Sequence, residues 1–295
     1  MQGFLLLDKP SGISSFGAVA AIKRLTGEKR IGHTGTLDPL ATGVLPVLIG
    51  KSTALSSYLL ESDKTYIATV KLGIATDTDD ITGKIISRSS VNVSNDDIAS
   101  ALMKFKGKIK QTPPIYSALK QDGVRLYQLA RQGKTAEIPQ RDVEIFDISI
   151  LSPINQENEF SFQATVSKGT YIRSLARDIG ELLGCYATLC ALKRTRLSGF
   201  GIENCVELDK LSAENIKDYI ADETDALPHL PSVEVSPKQA VLFSNGGQLF
   251  LDRLPKPALS DGQTVKVCSG GIFLGIGIAD TKNNLLNIGC NINKP

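Results

Sequence analysis

The sequence predicts a two-domain α/β protein. Three observations carry that prediction. Short apolar strands alternate with helical stretches over residues 1–230; two prolines, Pro228 and Pro231, follow a helical segment rich in acids; and beyond them the chain turns to short apolar runs broken by glycine and asparagine.

Taken in order, Phe4–Leu7 reads as a buried strand closed by the turn residues Asp8-Lys9-Pro10-Ser11-Gly12. Ser14 or Ser15 caps a helix to about Leu25, and Gly27 stops it. A glycine-rich loop then leads to a strand at Val44–Ile49 and a short helix at Ser52–Leu60. Thr65–Leu72 alternates apolar with polar residues, the pattern of a half-buried strand, and Asp77-Thr78-Asp79-Asp80 is a turn. Ser94 caps a helix to Phe105, closed by Gly107. Gln111-Thr112-Pro113-Pro114 breaks the chain, and Leu126–Arg131 has helical character. Val143–Leu151 and Glu159–Val166 read as a strand pair. Ile172, Leu175, Ile179 and Leu182 recur at helical spacing, and Cys185–Leu197 returns as strand. Past the prolines, Val265–Val267, Ile272–Ile278 and Leu285–Ile288 suggest a small all-β module over residues 231–295.

Composition narrows the function classes. The 295 residues are 42% hydrophobic and 22% charged, which suits a globular protein with a sizeable core. The apolar start, Phe4-Leu5-Leu6-Leu7, is too short for a signal-peptide core, so a cytoplasmic location is expected, with no membrane. Five cysteines without CxxC spacing and only two histidines argue against a zinc site. A net charge of +2 neither demands nor excludes nucleic acid, but Lys104, Lys106, Lys108 and Lys110 form one cationic cluster and Lys193, Arg194 and Arg196 another. A third joins Lys23 and Arg24 to Lys29 and Arg30. Together they favour a phosphate-bearing partner.

The most informative segment is His33-Thr34-Gly35-Thr36-Leu37-Asp38-Pro39-Leu40-Ala41-Thr42-Gly43. Pro39 confines Asp38 to extended or turn geometry, and the two glycines supply conformational freedom or room for close approach. One acid is thus presented by a rigid loop. The plain alternative is an Asx turn in which Asp38 only bonds backbone amides.

With its flanks, Gly32 to Pro46 resembles without a break the signature loop of the bacterial tRNA pseudouridine-55 synthases, the TruB family. Leu7–Ser15 resembles that family's first motif, which supports the catalytic loop. Lys64-Thr65-Tyr66, Gly169–Leu175 and Leu192-Lys193-Arg194 are similar to its pocket motifs. Ser117–Lys120 and Gly123–Arg131 are similar to a thumb-like insertion, about residues 107–141, that closes on RNA. The resemblance covers roughly residues 3–230. It implies a mixed, mainly antiparallel sheet flanked by helices (the pseudouridine synthase fold), with a catalytic domain over 1–230 and a PUA-like β domain over 231–295. The closing segment, residues 287–295, lacks the arginines found near that end in relatives, which argues against a strong RNA grip from this module.

What the resemblance implies is isomerisation of uridine to pseudouridine at position 55 in the T-loop of tRNA. The partner is then the T-arm stem-loop. That reaction exchanges neither electrons nor groups with a second substrate, so no cofactor is expected. Asp38 is the expected catalytic acid, attacking covalently or removing a sugar proton to give a glycal-like intermediate; both routes stay open. Burial alone would keep Asp38 protonated, and Arg173 is the expected counter-cation that reverses this; a surface salt bridge is its plain alternative. Tyr66 is expected to stack on an extruded uracil and to assist proton loss from C5. Tyr171 would shape the pocket, Leu192 would wall it from water, and His33 would pack into the RNA loop in place of the flipped base. Lys106, Lys108, Lys120, Arg125 and Arg194 are the expected phosphate contacts. Two rivals remain: a tRNA-binding folding factor with secondary isomerase activity, and a relative acting within guide-RNA particles.

Overall fold

The computed structural model describes residues 1–59, 63–117, 120–121, 124–125, 138–255 and 259–292. Part of the expected thumb insertion, including the helical stretch expected at Leu126–Arg131, lies outside the described residues.

The N-terminal strand β1 (Gly3–Lys9) is almost wholly buried, as its run of leucines requires. It leads to α1 (Ser15–Thr26), which Ser14 caps by accepting from the Gly17 amide, and which ends at Gly27 in the left-handed conformation. β2 (Ile31–His33) and β3 (Thr42–Ile49) bracket the signature loop. A 3₁₀ turn at Gly50–Leu55 and one α-helical turn, α2 (Ser56–Leu59), replace the single short helix expected there. β4 (Lys64–Leu72) is followed by the hairpin β5 (Ile74–Thr76) and β6 (Ile85–Arg88). α3 (Asn95–Lys104) starts with a capping box between Ser94 and Asp97. Next come β7 (Gly107–Gln111), the two-residue pair β8 (Lys120–Gln121) and β9 (Val124–Arg125), β10 (Arg141–Ser152) and β11 (Glu159–Val166). α4 (Ile172–Leu182), β12 (Ala187–Leu197), β13 (Phe200–Gly201) and β14 (Val206–Glu207) complete the large unit.

Its sheet runs β14-β1-β3-β12-β4-β11-β10-β7, with β13 beside β12 and β2 beside β3. The pairings are antiparallel except β1–β14 and β3–β12, so the sheet is mixed and mainly antiparallel, as expected. α4 lays Leu175, Ala176 and Ile179 on Ala68, Val70, Ala164 and Leu189 to make the core. Of the acid-rich stretch before Pro228, only 3₁₀ turns at Leu208–Lys210 and Ile216–Tyr219 form, where a helical segment was expected.

The second sheet is ordered β15 (Ser232–Glu234), β17 (Thr264–Ser269), β18 (Ile272–Asp280), β19 (Leu285–Asn291), β16 (Leu249–Phe250). The module is not all-β. An eight-residue helix, α5 (Pro237–Ser244), packs Ala240 and Phe243 against Val265, Val267 and Leu286. Its start was written in Ser236-Pro237-Lys238-Gln239: a serine cap, proline in the first turn and glutamine closing the capping box. Phe273, Ile276 and Ile292 of this module share an apolar cluster with Phe4, Leu48 and Leu55. Among the described residues, no helix is long and apolar enough to cross a membrane.

Candidate active site

The signature loop is fastened from beneath by the first motif. Lys9 is fully buried, and its ammonium donates to the Pro10 and Ile13 carbonyls at 2.8 and 2.7 Å and to Pro39 at 3.4 Å. Ser15 Oγ both donates to the Leu37 carbonyl and accepts from the Leu37 amide, while Gly12 N–H donates to Pro39. From the strand side, the fully buried Arg194 donates from Nε to the Val44 carbonyl at 2.8 Å and from Nη2 to the Gly35 carbonyl at 2.7 Å. β3 meets β12 most closely at Gly43 (φ 104°), where a Cβ would run into the Arg194 backbone. Only glycine fits there. The loop is therefore rigid because donors from both neighbouring segments use up its carbonyls.

Asp38 stands at the rim of this loop in a cleft of about 590 Å³. Tyr66 from β4, Leu192 from β12, and Tyr171 and Arg173 from the start of α4 line the same cleft. Arg173 Nε lies 2.8 Å from Asp38 Oδ2, and Nη2 donates to Oδ1 at 3.2 Å, so the carboxylate takes one hydrogen bond and one close ionic contact from the guanidinium. The guanidinium is itself clamped. Nη1 donates to the Thr78 carbonyl and Nη2 to the Tyr116 carbonyl, both at 3.0 Å, and Nη1 lies 3.7 Å from Asp80 Oδ2. Asp80, only 5% exposed, accepts at Oδ1 from the hydroxyls of Thr78 and Thr82 and from the Thr82 amide. One arginine thus sits between two carboxylates.

The pairing does not fully reverse the effect of burial. Burial pushes the Asp38 carboxyl above the ordinary aspartate range; Arg173 pulls it down, Asp80 adds a further push up, and Lys9 pulls down more weakly. The side chain keeps 35% of its surface open to the cleft, enough to reach a bound ligand. Burial also raises the Tyr171 phenol, and Gln111 fixes that residue's backbone by accepting from its amide at 2.8 Å and donating to its carbonyl at 3.1 Å.

Of the other expected site residues, His33 sits on β2, half-buried, with its ring edge-on to the exposed Phe16 at 5.3 Å. Burial, helped by the Arg194 charge, lowers its pKa and keeps it neutral. Lys106 and Lys108 are on the surface by β7, Lys106 paired with Asp147 at 2.8 Å. Lys120 and Arg125 face each other in the β8–β9 register; their side chains lie outside the described residues. Arg194 is corrected: a guanidinium with no exposed surface, spent on loop carbonyls, is no phosphate contact. Sequence reading missed Asp80, taken for part of a turn; its trace was a buried arginine's need for a second acid.

Known proteins resemble this chain over nearly its whole length. Residues 23–172 match the family profile described as TruB family pseudouridylate synthase (N terminal domain), and residues 173–235 the tRNA pseudouridylate synthase B C-terminal domain. Residues 231–286 match a further TruB C-terminal profile. The chain belongs to the TruB family. A tRNA pseudouridine synthase B of Clostridium novyi is 47% identical, the match covering 96% of this chain and 97% of that one. Its namesake in Azoarcus is 44% identical over 94% and 91%. Among solved structures, a Cbf5-Nop10-Gar1 complex matches with a TM-score of 0.76 at 26% identity, covering 99% of this chain and 85% of that one. An H/ACA RNP bound to a substrate RNA containing 2′-deoxyuridine matches with a TM-score of 0.73, also at 26% identity. As a TruB-family enzyme, the protein is a tRNA pseudouridine synthase that isomerises uridine in tRNA. The seam between the first two profiles falls between Ile172 and Arg173, inside the cleft, so both matched segments are needed to build one site.

Proposed function

We propose that the uridine acted on is position 55 in the T-loop of tRNA and that Asp38 is the residue that acts on it. The observation that carries this reading is the Asp38–Arg173 pair, joined at 2.8 Å across 135 positions of sequence at the end of a cleft wide enough for a nucleotide. Tyr66 offers its ring face to the extruded uracil, Leu192 closes the pocket to water, and Tyr171 shapes its mouth. Extrusion costs a few kcal/mol of lost stacking, offset by this pocket and by His33 filling the gap in the RNA loop. Phosphate contacts fall to Lys106, Lys108, Lys120 and Arg125. The enzyme works in the cytoplasm, where its tRNA substrate is, through a catalytic domain over residues 1–230 and a small module over 231–295.

The test is to incubate the protein with an unmodified T-arm stem-loop, an anticodon stem-loop and an rRNA fragment, and to map pseudouridine by carbodiimide. Modification of the single T-loop uridine, and of neither other RNA, is the expected result. No product in the T-arm, or equal product in all three, contradicts the reading.

A further inference from the structure

Arg141 opens β10 at the edge of the cleft, and nothing in the network around Asp38 uses it. Its Nε is buried with no acceptor among the described residues. Its Nη1 stands 3.5 Å from where Gly169 would carry a Cβ, and its charge acts on the Tyr171 phenol. The guanidinium therefore lies over a bare, exposed glycine at the point where α4 begins. Gly169, Thr170 and Tyr171 line the cleft there, and the first turn of α4 has neither an acidic residue nor a side-chain cap. Lys64 lines the same cleft, and Lys168 adjoins Gly169. Burial and the neighbouring charges of Arg194 and Lys168 bring Lys64 down to about 8, against an upward pull from Asp63.

Two carboxylates, Asp38 and Asp80, line the cleft with Arg173 between them to offset their charge. Lys64 and the helix-start residues Gly169, Thr170 and Tyr171 line it too, and there an anion is attracted. The Arg141 guanidinium is hydrogen-bonded to no carboxylate among the described residues, and an oxyanion beside its outer nitrogens would supply the missing counter-charge.

We infer that Arg141, with Lys64 and the opening turn of α4, holds a backbone phosphate flanking the target uridine, so that the base can enter only one way round. The inference rests on the RNA reading above. Arg141 is a positioning residue: it acts on the phosphate, and the phosphate orients the uridine toward Asp38.

The test pairs a protein change with a substrate change. Stem-loops carrying a neutral methylphosphonate at one or the other linkage flanking the target uridine are compared with the all-phosphate stem-loop. At one linkage, the neutral group is expected to weaken the wild-type protein by roughly 10- to 100-fold, the scale of a charge-assisted hydrogen bond. Arg141→Gln should show a similar loss with the all-phosphate stem-loop and, at that linkage, no more than about a twofold further loss. Arg141→Lys should recover part of the loss, and the Arg141→Gln salt slope should fall by about one phosphate contact. Binding is also measured in an Asp38→Asn background, so that the outcome does not depend on turnover. If the wild-type protein makes no pseudouridine, the functional reading fails on that ground alone, and the binding comparison still decides for or against Arg141. Independent, multiplying losses at both linkages overturn the inference, as does an Arg141→Gln protein that only melts earlier and slows every substrate equally.

Discussion

Asp38→Asn is expected to bind the T-arm stem-loop within about threefold of the wild-type protein and to convert none of it, a loss of roughly 10⁴-fold or more in single-turnover rate. Asparagine keeps the shape and one acceptor for the Arg173 fork, so the loop and cleft stay as they are. What disappears is the anionic oxygen, which either route to the product requires as nucleophile or base. Binding follows phosphate contacts and the pocket walls, none of which this change touches. Full turnover by this protein would remove Asp38 from the chemistry. Loss of binding together with turnover would mean that the carboxylate serves the fold, and a product yield matched to binding would favour the folding-factor rival.

Arg173→Gln is expected to be the second most damaging change, and it should act twice. Removing the guanidinium leaves Asp38 facing Asp80 without a cation and the Thr78 and Tyr116 carbonyls without their donor. Breaking a buried charge pair in this way costs on the order of 3–5 kcal/mol. Because Asp38 keeps a third of its surface open to water, the lower end, about 3 kcal/mol, is the expectation for urea unfolding. The rate should fall further than stability explains, by about 10³-fold under conditions where the protein is fully folded, since Asp38 then loses both the cation that favours its ionised form and the donor that positions its oxygens. Arg173→Lys restores a positive charge but not the fork, so it should recover stability more than rate. A folded Arg173→Gln protein with a normal rate would make Arg173 a strut and nothing more.

The sequence was most readable where local chemistry decides the outcome. The Ser14 and Ser94 caps, the alternation along Thr65–Leu72 and the helical spacing of Ile172, Leu175 and Ile179 each specify an element within a few residues, and the structure holds all of them. Asp38 and Arg173, 135 positions apart, were joined only through the family motifs, because no local rule links a turn acid to a distant helix start. Cations were the hardest to read. Arg194 looks like a surface charge in the chain, yet it is fully buried, because a tight loop leaves carbonyls unpaired and only long donors reach them; Lys9, expected as scaffold from the first motif, is buried for the same reason. Asp80 was hidden in a similar way: a turn rich in acids is usually solvated, and only the arriving guanidinium makes its burial affordable.

Ionised Asp38, poised between burial and Arg173, is proposed to perform the isomerisation. The most direct test of this claim is the single-turnover rate against pH for the wild-type and Asp80→Asn proteins. Because burial and Asp80 raise the Asp38 pKa, the rate should fall tenfold per pH unit below a midpoint lying above the ordinary aspartate value of about 3.9. With the Asp80 charge removed, that midpoint should move to lower pH, since one of the two upward pushes is gone. A rate that stays flat down to pH about 4, or an acid limb that Asp80→Asn leaves in place, contradicts the claim.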